Sequence, residues 1–193
     1  PGKIPMVRIQ HKNYLDNVIS EADYEYLKSC LLRDKRYLYY FLIRFMAATG
    51  ARVSEVVQFQ AEDVQKGFKE IYSKGNKARR IYIPKALRTD ALLWLQAAGI
   101  RKGDIFLNRF GRRITPAGIR GQLKTLAVLY GINPDVVHPH SFRHRFAKSF
   151  IEKCGDISLL SDLLGHKTIE TTRIYLRRSS NEQYEIVNKV VDW

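Results

Sequence analysis

Apolar positions recur at helical spacing over most of the chain, and one central stretch breaks the rhythm. Ser20 followed by Asp23 marks a helix start, and the apolar spacing of YEYLKSCLL then runs to a break near Asp34. A second helix is predicted through YLYYFLIRFMAAT to Gly50, a residue suited to the left-handed conformation at a helix end. ARVSEVVQF restarts helical periodicity, with Val53, Val56 and Val57 on one side. From Asp63 to Pro84 the texture changes to short β-prone pieces, KEIYS and RRIYIP, separated by KGNKA, whose Gly75 and Asn76 are turn formers; this predicts a basic hairpin. Helix returns at ALRTDALLWLQAAG, followed by a short strand or loop at DIFLN and a helix opened by Thr115 and Pro116, a cap and first-turn pair. The last third reads as helices at HSFRHRFAKSFIEKC, DISLLSDLLG, TIETTRIYL and NEQYEIVNKVV, with Phe142, Phe146 and Phe150 at spacing four on a core face. The fold class predicted is α+β, mainly helical, with a small antiparallel β-sheet.

Composition adds the environment. With 193 residues, 45% hydrophobic and 27% charged, the chain suffices for one domain with its own core. Its longest apolar run, YLYYFLIRFMAA, is interrupted by Arg44 and too short to span a bilayer. Cys30 and Cys154 are the only cysteines, and PGKIPMVRIQHKN lacks the apolar core of a signal peptide, so a reducing, cytoplasmic location is expected. Residues 1–17, with two prolines and no periodicity, read as a linker or arm from something upstream, 18–178 as one domain, and 179–193 as a terminal helix.

Charge points to a partner. Thirty-three Lys and Arg against 19 Asp and Glu give a net +14, clustered in KGNKARR, RFGRR, RHRFAK and RIYLRR. Nucleic acid is the leading partner for such a chain, and contact with anionic lipid is the weaker reading because no cluster lies on an amphipathic anchor helix. The histidines and cysteines do not fall into zinc-ligand spacings, and KGN at the hairpin tip lacks the arrangement of a nucleotide-binding phosphate loop. No metal and no cofactor are expected.

Taken singly, Arg52, Lys74, His166 and Tyr175 each have an ordinary structural explanation, as solvated cation, turn lysine, helix-end histidine and boundary tyrosine. Their order changes this: Arg52 in TGARVSE, Lys74 in SKGNKARR, His140 and Arg143 in HSFRH, His166 in LLGH, and Tyr175 nine residues later in TTRIY. On these motifs the chain resembles the tyrosine recombinases, or phage-type integrases, from about residue 20 to residue 180.

The resemblance implies a site-specific recombinase that cleaves double-stranded DNA through a 3′-phosphotyrosine, releases a 5′-hydroxyl and reseals without ATP, for integration or excision of a mobile element. It implies Tyr175 as nucleophile, His140 as its proton acceptor, Arg52 and Arg143 as phosphate clamps and His166 as a further hydrogen-bond donor. These roles fit the chemistry. A phenol with a pKa of about 10 needs an acceptor and a positive field, and planar guanidinium groups stay charged while binding phosphate oxygens in pairs. The leaving 5′-oxygen needs an acid, for which the family pattern favours Lys74 over Lys77 in the same turn. Lys77, Arg79, Arg80, Arg112, Arg113, Arg145 and Arg177 are expected DNA contacts, and His144 with Arg145 read as support or backbone contacts. The resemblance further implies an upstream DNA-binding domain, a terminal helix exchanged within a homotetramer on DNA, and accessory DNA-bending or directionality proteins. A type IB topoisomerase and a non-cleaving DNA-binding regulator on the same fold are the rival readings.

Overall fold

The computed structural model describes residues 17–73 and 77–193, with Ser73 and Lys77 described by their backbone alone. The hairpin tip that carries Lys74 lies outside these residues, as does most of the expected arm at 1–17.

Helix α1 (Glu21–Arg33) starts where Ser20 accepts a hydrogen bond from the Asp23 amide, and it turns Tyr24, Leu27, Cys30 and Leu31 inward. Helix α2 (Tyr37–Thr49) is the central rod. Phe41, Leu42, Ile43, Phe45 and Met46 are all buried, so the helix is covered on nearly every side. It ends at Gly50 with φ 68°, and a Cβ there would fall 2.5 Å from the Phe146 ring, so both backbone and packing demand glycine. The helix expected in ARVSEVVQF is a single turn, α3 (Val53–Val56), and the short α4 (Ala61–Lys66) follows.

Strands β1 (Phe68–Ser73) and β2 (Lys77–Tyr82) form the antiparallel hairpin, in register from Phe68 opposite Tyr82 to Ser73 opposite Lys77. Helix α5 (Lys85–Ala97) stacks Trp94 on Phe41, with ring centroids 4.6 Å apart. DIFLN is not a strand of the sheet. It runs as a loop with isolated bridges from Asp104 to Gln60 and from Leu107 to Arg113, burying Ile105 and Phe106.

Helix α6 (Pro116–Leu129) is capped by Thr115, as its sequence announces. Helix α7 (Pro139–Cys154) begins one residue earlier than its apolar pattern suggests, because the His138 imidazole accepts from the Ser141 amide and Pro139 takes the first helical position. Helix α8 (Ile157–Leu164) stops at Gly165 with φ 66°. TIETTRIYL is not one helix but two 3-10 turns, Ile169–Thr171 and Arg173–Leu176. Thr168, Thr171 and Thr172 give this segment hydroxyls that bond to one another or to His166, which competes with regular helix. Helix α9 (Ser180–Val190) carries a Ser179–Glu182 capping box and buries no residue.

Two apolar clusters result. The larger joins α1 to α6, the hairpin and Phe142; the smaller gathers Ala147, Ile151, Leu160 and Leu164 with Phe146, Phe150 and Tyr175 at its edge. Of the three phenylalanines at spacing four, only Phe142 is fully buried; Phe146 and Phe150 are half-buried. Helix α7 belongs to both clusters, and the expected site residues stand along the seam.

Candidate active site

Arg143 projects from the second turn of α7 into the seam and is 5% exposed. Its guanidinium donates to the Gly50 carbonyl at 2.6 Å and to the Leu164 carbonyl at 2.8 Å, the C-terminal ends of α2 and α8. Helix C-termini carry partial negative charge, so two of them hold this cation where burial would otherwise be prohibitive. Burial, with neighbouring Arg52 acting in the same sense, lowers its pKa to about 10, and it remains charged at neutral pH.

Arg52 precedes α3 and reaches the next carbonyl along, that of Gly165, at 3.4 Å. The two guanidinium groups are therefore fixed by consecutive carbonyls. Arg143 is locked inside while Arg52 keeps 40% of its side chain exposed. Beneath Arg52 lies Glu55, 6% exposed, whose carboxylate accepts from the Arg52 backbone amide at 2.8 Å and its guanidinium at 3.1 Å. Arg79 from β2 grips the same carboxylate with both Nη atoms, at 3.0 and 2.8 Å. Burial acts to raise the Glu55 pKa, yet the hydrogen bonds from Arg79 and the Arg52 amide hold it below the ordinary value. Arg79 also explains the glycine of LLGH, since a Cβ on Gly165 would overlap its guanidinium. Sequence reading missed Glu55; the signal was its place three residues after Arg52, where a carboxylate can reach back to the helix start.

His166 fixes its own tautomer. Arginine can only donate, so the Arg143 guanidinium, 3.2 Å from Nε2, makes that nitrogen an acceptor, and Nδ1 donates to the buried Thr172 hydroxyl at 2.7 Å. Burial, together with Arg143, Arg52 and Arg79, lowers its pKa to about 4. In this state the ring is a neutral acceptor, and donation to a phosphate requires Arg143 to turn away or a proton to arrive.

Tyr175 lies in the second 3-10 turn at the edge of the smaller cluster, and burial raises its pKa to about 12 despite the opposing pull of Arg143. Its hydroxyl is hydrogen-bonded to Nδ1 of His144. His140, one turn earlier on α7, is exposed, with its ring centroid 6.2 Å from that of His144; burial of part of the ring and nearby Arg143 lower its pKa. The structure thus brings Arg52, Arg143, His166, Tyr175, His144 and His140 into one cluster. Lys74 lies outside the described residues, and Lys77 is placed by its backbone only, opposite Ser73.

The other expected DNA contacts divide. Arg112 and Arg177 are exposed. Arg80 pairs with Glu70 at 3.2 Å and covers the Phe68 ring, Arg113 pairs with Asp104 at 2.9 Å, and Arg145 lies over the Tyr24 ring at 4.3 Å. Arg79 is committed to Glu55, with 16% of its side chain exposed and its Nε buried without a partner among the described residues, so in the free protein it braces Arg52 instead of facing outward. Among the described residues no three His, Cys, Asp or Glu side chains gather as a metal site would need, and no helix is long and apolar enough to cross a membrane.

The arrangement can hold a phosphate against two guanidinium groups with a phenolic oxygen at hand. The chain is 35% identical over 140 residues to tyrosine recombinase XerC of Pseudomonas aeruginosa, covering 69% of this chain and 45% of that protein. It is 32% identical over 190 residues to tyrosine recombinase XerD of Listeria innocua, covering 89% and 62%. The chain thus spans about half the length of the curated relatives it matches. Its fold superposes on that of XerA recombinase with a TM-score of 0.73 at 23% identity, over 96% of this chain and 66% of that one. The integrase of transposon Tn1549, solved with its transposon right-end DNA, gives a TM-score of 0.73 at 16% identity, over 90% and 65%. The profile of the phage integrase family matches residues 15–182, so this chain belongs to the phage integrase family.

Proposed function

We propose that the chain is the DNA-breaking and rejoining part of a site-specific recombinase acting through a 3′-phosphotyrosine. The observation that carries this reading is the pairing of Arg52 and Arg143 on the consecutive carbonyls of Gly165 and Leu164, in one cluster with the Tyr175 hydroxyl. A DNA phosphodiester bound there has its non-bridging oxygens against both guanidinium groups, which remain charged as negative charge builds in the pentacoordinate transition state. Tyr175 Oη attacks phosphorus and the 5′-oxygen departs, taking a proton from the hairpin lysine, for which Lys74 is the candidate. The phosphate's charge favours protonation of His166, which then donates to the same phosphate. Resealing by a 5′-hydroxyl from another strand yields recombination.

The net charge of +14 supports double-stranded DNA as the partner. Exposed Tyr184, Val187 and Val190 on α9 support a terminal helix that docks on a neighbouring protomer of a homotetramer. Likeness to the transposon integrase favours mobile-element integration or excision, and a cytoplasmic location fits such work on DNA. The test is a nicked suicide duplex carrying candidate sites. The expected result is a denaturant-resistant protein–DNA adduct that disappears in Tyr175→Phe while DNA affinity is kept; an adduct that persists in that variant rejects the nucleophile.

A further inference from the structure

The start of α7 is fastened to the start of α1 by a hydrogen bond between residues 122 apart in the chain. The Ile19 amide donates to Ser141 Oγ at 2.8 Å, and both residues are buried. Ile19 lies just ahead of the Ser20 cap, so its N–H has no partner in the helical ladder and depends on this hydroxyl. Ser141 is itself held. Its amide is one of the spare donors of a first helical turn, and it donates to Nδ1 of His138 at 3.3 Å. An amide can only donate, so that nitrogen carries the lone pair. Burial, with His140 acting in the same sense, lowers the His138 pKa and keeps the ring neutral for this task, while the backbone of Asn17 also bears on it. Residues 17–19 thus form a strap across the first turn of α7.

Apolar contact alone does not do the same. Phe142 packs against Tyr24 with ring centroids 6.1 Å apart, and Arg145 lies over the same ring, so α1 and α7 touch without the strap. Such contacts set how closely two helices approach but tolerate sliding, whereas a buried hydrogen bond is directional and fixes register. Register matters here, because Ser141 stands between His140 and Arg143 on the same turn. The Arg143 guanidinium is anchored at its tip by the Gly50 and Leu164 carbonyls. The His140 ring has no such anchor: the charged groups around it are Arg143, Arg120 and Arg52, and among the described residues no hydrogen bond ties it. Its place therefore follows the backbone of the first turn.

We propose that Ser141 is a positioning residue for DNA cleavage: its hydroxyl holds the strap of residues 17–19, so that the first turn of α7 brings His140 and Arg143 to the scissile phosphate in register. This rests on the reading of the site as a recombinase active site given above. Fully buried, the hydroxyl has no access to DNA and acts only through the backbone. The strap thereby belongs to the catalytic apparatus, although none of its own side chains takes part in the chemistry.

The experiment compares three changes on a pool of nicked duplexes randomised around the nick: Ser141→Ala, replacement of the Ile19 N–H by an ester oxygen through the matching α-hydroxy acid, and both together. At saturating DNA, Ser141→Ala should form the adduct about 10-fold to 100-fold more slowly, as small misplacements of catalytic groups do, with a half-saturating DNA concentration within about 2-fold of the unaltered chain. Its melting temperature should fall as well, since a buried N–H is stranded. The combined change removes donor and acceptor together, so it should recover the melting temperature and leave the rate low. That split separates positioning from support of the fold. A Ser141→Ala rate within about 3-fold of the unaltered one, a defect confined to DNA affinity, or a rate that follows the melting temperature across the three variants overturns the proposal. If Ser141→Ala does not fold, the combined variant decides alone: a low rate at a recovered melting temperature supports the strap, and any other result refutes it. Absence of any adduct from the unaltered chain, or its persistence in Tyr175→Phe, overturns the recombinase reading instead. In that event the NMR ring signals of His140 in the free protein still decide the strap: a shift in the combined variant while those of His166 stay in place supports it, and unchanged His140 signals refute it.

Discussion

The two halves of the site are built to different standards. On one side Arg52, Arg79 and Arg143 are tied by two guanidinium–carboxylate contacts and three backbone carbonyls, in the seam between the two cores. On the other, Tyr175 sits in a 3-10 turn at the edge of a small cluster, its hydroxyl held by one hydrogen bond to His144. Phosphate binding gains from preorganised donors, whereas a nucleophile that must approach phosphorus and later leave it gains from a light attachment. Substitutions in the first half should therefore damage stability and chemistry together, and substitutions in the second should damage chemistry alone.

The largest effect is expected from Arg143→Ala, which removes a transition-state donor and leaves the Gly50 and Leu164 carbonyls without their partner. Adduct formation should fall about 1000-fold and the melting temperature should drop. Arg143→Lys should recover little, because a point charge cannot span two carbonyls and a phosphate. Next comes Glu55→Gln, which leaves Arg79 buried against a neutral amide. A loss of about 3 kcal/mol in urea unfolding is expected, since breaking a buried pair strands a charge. Gly165→Ala should cost about 1–2 kcal/mol through its left-handed backbone and displace Arg79, slowing the adduct while Tyr175 stays in place.

How much of this was readable beforehand follows the same division. Ser20, Gly50 and Thr115 announce their helix ends because capping is local chemistry, and the hairpin is written in its turn residues. The clamp arginines were legible because guanidinium before VSE and after HSF forms a recognisable order. The 3-10 turns around Tyr175 were not, because one of the hydroxyls that divert TIETTRIYL, that of Thr172, bonds His166, whose position depends on the tertiary fold. Nor could spacing tell whether His140 or His144 meets the Tyr175 hydroxyl, since residues four apart share a helix face. Arg79 read as a surface cation because the carboxylate that claims it lies 24 residues away in the chain.

Smaller effects test the histidines. His144 and His166 each fall from an ordinary 6.5 to about 4 in the folded protein, so the unfolded chain binds protons first on acidification. Stability should be full above pH 6.5 and decline as pH falls toward 4. Glu55, held below 4.5, continues the decline at lower pH. A melting temperature that stays level from pH 6.5 to 4, or histidine NMR titrations of these two near 6.5, would remove this support. The smallest effect is expected from Tyr175→Phe, which should change unfolding free energy by less than about 1 kcal/mol because it deletes one hydrogen bond.

The most direct test of the central claim, that the arginine clamp presents one phosphate to Tyr175, is mass-spectrometric mapping of the nucleotide-bearing peptide after nuclease digestion of the trapped complex. The nucleotide should be found on Tyr175 in the unaltered chain, with no labelled peptide from Arg143→Ala. A nucleotide on Tyr184, or one still attached to Tyr175 at an undiminished rate without Arg143, would contradict it.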